Sequence, residues 1–145
     1  MKNTKPMKKE YKELLLRDLC ARLPYDVKVW VKTHHGQIIE SDFLTLCNGG
    51  GYYSTLSYEG ILNDSIVKPY LRPMYSMTEE ERKEYYSTQS KYTHRIYPDS
   101  ADFSEHTEYS WTAKTSDWLN AHHFDYRGLI PKGLAIEAKD GMYNF

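Results

Sequence analysis

The sequence is poor in cysteine and has no long apolar run, and each shortage excludes a class of protein. The chain has two cysteines, Cys20 and Cys47, in 145 residues, which is too few for a disulfide framework. Neither lies in a Cys-x-x-Cys pair, so we expect two thiols buried in the core and a cytoplasmic protein. No apolar run approaches the roughly 18 residues of a membrane span, so no membrane partner is expected.

Net charge is also small, at −1 with histidine neutral, but it is unevenly distributed. Residues 1–32 carry nine Lys or Arg against four Asp or Glu, whereas residues 33–145 carry ten against sixteen. Residues 1–7 are expected to form a flexible basic tail without the apolar stretch of a secretory signal. Because the acidic remainder would repel a phosphate backbone, nucleic acid binding is not expected.

The apolar residues near the start of the sequence have the spacing of a helix. Over residues 8–23, Leu15, Leu19 and Leu23 recur every four positions, which predicts an amphipathic helix. Pro24 ends this helix because proline has no N–H with which to continue it. We expect the three leucines to pack against a sheet.

From residue 27 on, apolar residues recur at every second position, which predicts β-strands. Four segments are predicted as strands: residues 27–32, 37–47, 52–58 and 134–138. Short turns between the first three predict an antiparallel meander. Pro69 and Pro73 place residues 68–74 at a sheet edge or outside the sheet, because a proline cannot donate to the ladder.

Two short helices are predicted later in the chain. Thr78 and Glu81 have the spacing of a capping box at the start of a surface helix. A third helix is predicted over about residues 117–124, with Thr115 or Ser116 as its N-cap.

Together these elements predict an α+β fold, with a small antiparallel sheet of three to five strands packed by an N-terminal helix and two short helices. One domain over residues 1–145 is expected. Residues 90–114 show no clear period and are predicted to form an irregular, aromatic-rich loop, although the alternation over residues 109–112 permits a short strand there. Long loops of this kind often carry binding residues on a rigid scaffold.

Tyrosine is abundant, since the chain has 14 Tyr and 3 Trp. These side chains offer a large contact area at low entropic cost, which suits a binding surface. A domain poor in aliphatic residues can also use tyrosine to build its core, and the sequence leaves both interpretations open. The candidate binding residues around the irregular segment are Tyr85, Tyr86, Tyr92, Tyr97, Tyr109 and Trp111.

A second group, His122, His123 and Asp125, has the ligand types of a zinc or manganese site or of an acid–base pair. The spacing disfavours this, because adjacent helical residues point about 100° apart. A buried structural histidine, bonded to the backbone or to Asp125, is the preferred interpretation. Asp125 is also expected to cap the turn that follows it, and His34 and His35 are expected to be solvated in a turn.

Two segments resemble a known group of proteins. They are KPYLRPMYSMTEEE, residues 68–81, and DWLNAHHFDYRGLI, residues 117–130. Both are similar to short uncharacterised proteins encoded by gut Bacteroidales bacteria and their phages, and the likeness is weak only over residues 90–114. The resemblance brings no activity with it, and implies phage or mobile-element DNA at work in a bacterial cytoplasm.

The sequence therefore predicts a non-enzymatic cytoplasmic binding protein that binds a host protein or a small ligand. The genetic setting that the resemblance implies adds interference with host defence as the use of that binding. No cofactor is predicted, and a homo-oligomer remains open. The alternative is a small metal-dependent hydrolase or nuclease that uses His122, His123 and Asp125.

Overall fold

The structure is a computed structural model that describes residues 8–33, 35–43, 66–96 and 104–143. The chain divides into two compact units, the first Met1–Met74 with Asn120–Phe145 and the second Tyr75–Leu119. Helices and strands occur in both units, which confirms the α+β class. The single domain over residues 1–145 stays a prediction. The expectations for residues 1–7, His34, Cys47, the strand 52–58 and Tyr97 lie outside the described residues.

Helices and strands follow one another along the chain in the order below. They are α1 (Lys9–Arg22), a 3-10 turn (Leu23–Tyr25), β1 (Lys28–Lys32), β2 (Ile38–Asp42), β3 (Ile66–Leu71), a second 3-10 turn (Met74–Ser76), α2 (Glu79–Ser87), β4 (Ser90–Ile96), β5 (Ser104–Ser110), α3 (Ala113–Ala121) and β6 (Ile136–Glu137). None of the described helices is long and apolar enough to cross a membrane.

In the first unit, four strands form one sheet in the order β2-β1-β3-β6. The β1–β2 pair is antiparallel, as predicted. The β1–β3 pair is also antiparallel but was not part of the predicted meander, and β6 pairs with β3 in parallel. A parallel pair needs a long crossover connection, which the chain between Leu71 and Ile136 provides. The sheet is therefore mixed, and the predicted last strand is its fourth member.

The core of this unit lies between α1 and the sheet. Leu15 and Leu19 are buried in one cluster with Val29, Val31 and Val67 of β1 and β3, as their helical spacing predicts, and Leu23 is partly buried against the same cluster. The expectation of a buried thiol is wrong for Cys20, which is exposed. Cys20 follows Leu19 directly, so it points about 100° away from the buried stripe.

The placement of residues 68–74 at an edge or outside the sheet is wrong for the residues up to Leu71. They belong to β3, an inner strand, and Pro69 pairs with Val29 of β1. In the described part of the chain, β6 pairs only with Tyr70 and Leu71. Among the described strands, Pro69 is therefore paired on one side only, and a residue without an N–H is tolerated in such an edge-like position.

In the second unit, α2 has the predicted capping box. The Thr78 hydroxyl accepts from the Glu81 N–H at 3.1 Å, and the Glu81 carboxylate accepts from the Thr78 N–H at 3.1 Å. The helix has no buried residue, which confirms that it lies on the surface.

Residues 90–96 and 104–110 are not irregular as predicted, because β4 and β5 pair in an antiparallel register from Ser90↔Ser110 to Ile96↔Ser104. Most of their described side chains are exposed, including Tyr92 and Tyr109 on opposite faces. A clear apolar–polar alternation is typical of strands with one buried face, so the sequence carries a period-two signal only over residues 109–112.

Helix α3 begins and ends earlier than predicted. Its first turn is closed by Thr112, whose hydroxyl accepts from the Thr115 N–H at 3.4 Å and whose carbonyl accepts from the Ser116 N–H at 3.3 Å. The helix ends at Ala121, and His123 has a left-handed φ of 61°. The predicted helix over 117–124 therefore has wrong bounds, because Thr112 caps it in place of Thr115 or Ser116.

Candidate functional site

Five aromatic rings of the second unit contact one another. The Tyr85 ring centroid lies 5.4 Å from that of Tyr86, 6.5 Å from that of Trp111 and 6.0 Å from that of Trp118. The Tyr86 ring in turn lies 5.3 Å from the Tyr109 ring. The pairs are tilted or edge-on, which is the arrangement that the ring quadrupole favours. We call these five residues the aromatic cluster.

Much of the aromatic cluster faces solvent. Tyr86, Tyr109 and Trp111 are 47%, 48% and 49% exposed, whereas Tyr85 and Trp118 are half-buried beneath or beside them. The rings therefore support each other without forming a closed core. An aromatic surface of this kind, held in place by its own contacts, loses little freedom when a partner covers it.

A group of threonines fixes the helices that carry the cluster. The Thr112 hydroxyl donates to the Thr88 carbonyl at 2.7 Å, and the Thr88 hydroxyl donates to the Thr115 hydroxyl at 3.1 Å. These bonds join the end of α2 to the start of α3, so Tyr85 is held against Trp118. The indole N–H of Trp118 also donates to the Glu84 carboxylate at 3.2 Å.

Of the six predicted binding residues, the structure brings four together in the cluster: Tyr85, Tyr86, Tyr109 and Trp111. Tyr92 is 65% exposed but lies on the other face of the hairpin. Lys91 is paired with Tyr109 and shares its face, and adjacent residues of a strand point to opposite faces.

No sequence pattern identifies Trp118, Thr88 or Thr112 as part of this site, and Thr115 is predicted only as a helix cap. Trp118 lies within the predicted third helix, whose sequence gives no sign of a contact with Tyr85. Its contact with Tyr85 depends on α2 lying beside α3, which no local pattern reveals.

His122, His123 and Asp125 do not assemble a site of their own. Both oxygens of the Asp125 carboxylate accept backbone N–H groups, from Leu129 at 2.8 Å and from Ile130 at 2.9 Å. Asp125 is thus the predicted cap of the following turn. In the described residues, no group of three or more His, Cys, Asp or Glu is placed to hold a metal ion.

His123 is buried and stacks on the Tyr143 ring, with a centroid distance of 3.9 Å and an interplanar angle of 21°. Burial first, and then the Arg22 guanidinium, lower the pKa of His123 to about 3. The imidazole is neutral over the physiological range, which suits a structural role in the first unit.

The first unit also has two neighbouring cavities at the edge of β1 and β2. The larger, about 600 Å³, is lined by Glu40, Tyr70 and Lys139 among others, and the smaller, about 370 Å³, by Asp26 and His123 among others. Asp26 and His123 are the non-glycine residues with positive φ in the described chain, at 56° and 61°. Such strained backbone is concentrated at functional sites, so this pair of cavities is a second candidate site.

Both lysines of these cavities are already engaged. The Lys28 ammonium donates to the Met142 carbonyl at 3.0 Å. The Lys139 Nζ atom lies 3.9 Å from a carboxylate oxygen of Glu40. The Tyr70 hydroxyl donates to Glu40 at 2.8 Å, and burial together with that carboxylate raises the pKa of Tyr70 to about 12. The cavities thus offer fixed polar groups that suit a small polar ligand.

Comparison of the chain with known protein families, with curated proteins and with solved structures gave no match.

Proposed function

We propose that this chain is a binding protein and that it contacts a protein partner with the aromatic cluster. The observation that carries the proposal is the half-exposed state of Tyr86, Tyr109 and Trp111 on rings that already contact one another. Exposed tyrosine and tryptophan are the residues that most often dominate the energy of protein interfaces.

Metal-dependent hydrolysis has less support. Its proposed ligand Asp125 uses both carboxylate oxygens to cap the next turn, and His123 is buried against Tyr143. Binding a metal would break these contacts.

The biological setting follows from the resemblance to proteins of Bacteroidales bacteria and their phages. We propose a cytoplasmic location, a bacterial host protein as the partner, and interference with host defence as the use of the binding. The small-ligand alternative would use the two cavities of the first unit.

The test is capture of partners from bacterial lysate on the immobilised full chain, with quantitative mass spectrometry of proteins and small molecules. Tyr86→Ala and Trp111→Ala are compared with Tyr75→Ala. Tyr75 is 79% exposed, belongs to the same unit and is outside the cluster, so it is a matched control.

We expect Tyr86→Ala and Trp111→Ala each to reduce capture at least tenfold, as loss of an aromatic anchor worth about 2 kcal/mol would. Each cluster variant loses ring contacts worth about 0.5–1.5 kcal/mol, so its melting temperature should fall by less than about 10 °C and the folded state should be kept. Tyr75→Ala should leave capture intact. Equal capture by all three variants would contradict the proposal, and so would unfolding of the two cluster variants. A co-purifying small molecule without a protein would favour the cavity alternative.

A further inference from the structure

Three cationic side chains border the Tyr86–Tyr109 end of the aromatic cluster. Arg82 and Lys83 precede Tyr86 by four and three residues on α2, so they lie one turn away on the same side of the helix. Lys91 is paired with Tyr109 across the β4–β5 hairpin. Directly paired residues share a face, with Cβ atoms about 5 Å apart.

These three side chains are exposed and have no anionic partner among the residues that the structure describes. No ion pair or hydrogen bond of the Arg82, Lys83 or Lys91 side chain occurs among the side chains that the structure describes. By contrast, Lys9 on α1 lies 4.0 Å from Glu13. Positive charges gathered beside an apolar surface favour an anionic partner, which steers association and fixes its register.

The positive patch is local. Residues 75–119 carry nine Asp or Glu against five Lys or Arg, and Glu80 and Glu84 are exposed on the same helix as Arg82. A nucleic acid strand places a phosphate at every nucleotide and would meet these carboxylates as well as the cations. A short peptide can place its acidic groups only where the cations are.

From this arrangement, and on the basis of the proposed function, we infer that the partner presents an acidic protein segment to this end of the cluster. An apolar side chain of that segment packs on the exposed rings of Tyr86 and Tyr109. Its Asp and Glu side chains pair with Arg82, Lys83 and Lys91.

The inference is tested with a displayed library of random peptides of about 12 residues, selected on the full chain. Enriched peptides are then synthesised, and their affinity is measured by fluorescence anisotropy at two salt concentrations. The key variants are Lys91→Glu and Arg82→Glu/Lys83→Glu. Lys32→Glu is the matched control, since Lys32 is an exposed strand lysine of the first unit.

We expect enriched peptides with several Asp or Glu beside one large apolar residue. Lys91→Glu and the double variant should each weaken their binding about tenfold at low salt, with a smaller effect at high salt where charges are screened. Lys32→Glu should bind as the unchanged chain does, and replacing Asp and Glu of the peptide by Asn and Gln should weaken binding similarly.

Neutral or basic peptides among those enriched would overturn the inference, as would tighter binding of single-stranded oligo-dT than of any peptide. If Lys91→Glu leaves binding unchanged while Tyr86→Ala abolishes capture from lysate, the acidic partner is wrong and the proposed function stands. If Tyr86→Ala also changes nothing, both are wrong.

Discussion

Asp18 is the residue whose replacement tests the core of the first unit most sharply. Asp18 and Arg22 lie one turn apart on α1, and both are 0% exposed. The Asp18 carboxylate accepts from the Arg22 Nε at 2.9 Å and from an Arg127 Nη at 3.0 Å. Arg22 also donates to the carbonyl of Phe124, so the network joins α1 to the segment after α3.

The change Asp18→Asn keeps the size of the side chain and removes its charge. Arg22 then has no counter-charge in a fully buried position. Its Nη1 atom already has no hydrogen-bond partner among the described residues. Breaking a buried ion pair by removing one partner costs about 3–5 kcal/mol. That is a large share of the 5–15 kcal/mol that is typical of a whole domain.

The assay is urea unfolding followed by circular dichroism, with Glu13→Gln as the control on the same helix. Glu13 pairs with Lys9 at 4.0 Å in an exposed i,i+4 geometry, so its loss should cost less than about 1 kcal/mol. If Asp18→Asn costs no more than this control, the reasoning from burial is refuted. We also expect the double change Asp18→Leu/Arg22→Met to recover much of the loss, because it removes both fully buried charges and leaves only Arg127, whose side chain is 19% exposed to water.

Two further predictions concern α2 and His123. Thr78→Ala removes the hydroxyl of the capping box and should destabilise the second unit by about 1 kcal/mol in thermal unfolding, and an unchanged transition would contradict this. Burial lowers the pKa of His123 to about 3 from 6.5. As pH falls below about 6.5, His123 is protonated in the unfolded chain but stays neutral in the folded one. The free energy of unfolding therefore decreases between about pH 6.5 and 3, by up to about 1.4 kcal/mol per pH unit. His123→Asn, which tolerates the positive φ, should flatten this pH dependence in urea unfolding between pH 4 and 7, and an unchanged slope would contradict the assignment.

Features that depend on neighbouring residues in the chain were predictable. The leucine spacing of α1 identified Leu15 and Leu19 as buried, and the Thr78–Glu81 spacing identified the capping box. Both signals arise within one or two helical turns. The valine alternation of β1 was equally informative, because only one face of that strand is buried.

Features that depend on distant residues were missed. Arg22 is a charged residue of α1, and the sequence gives no indication that it is buried and hydrogen-bonded to Asp18 and to the carbonyl of Phe124. Trp118 joins the aromatic cluster only because threonines connect α2 to α3. The sequence predicts a loop where β4 and β5 lie, because both faces of these strands are largely exposed and the apolar–polar alternation that identifies strands is weak.

The contacts of Tyr143 and Arg127 determine when the first unit can fold during synthesis. The Tyr143 hydroxyl bridges the Lys28 N–H and the Tyr70 carbonyl, and Arg127 reaches back to Asp18. During synthesis, α1 and β1 leave the ribosome before Arg127 and Tyr143 have been translated, so these contacts can form only late. The second unit consists of residues 75–119, and the contacts of its hairpin are local and fast to form. We therefore expect the second unit to fold before α1 forms its contact with Arg127, although α1 is translated first.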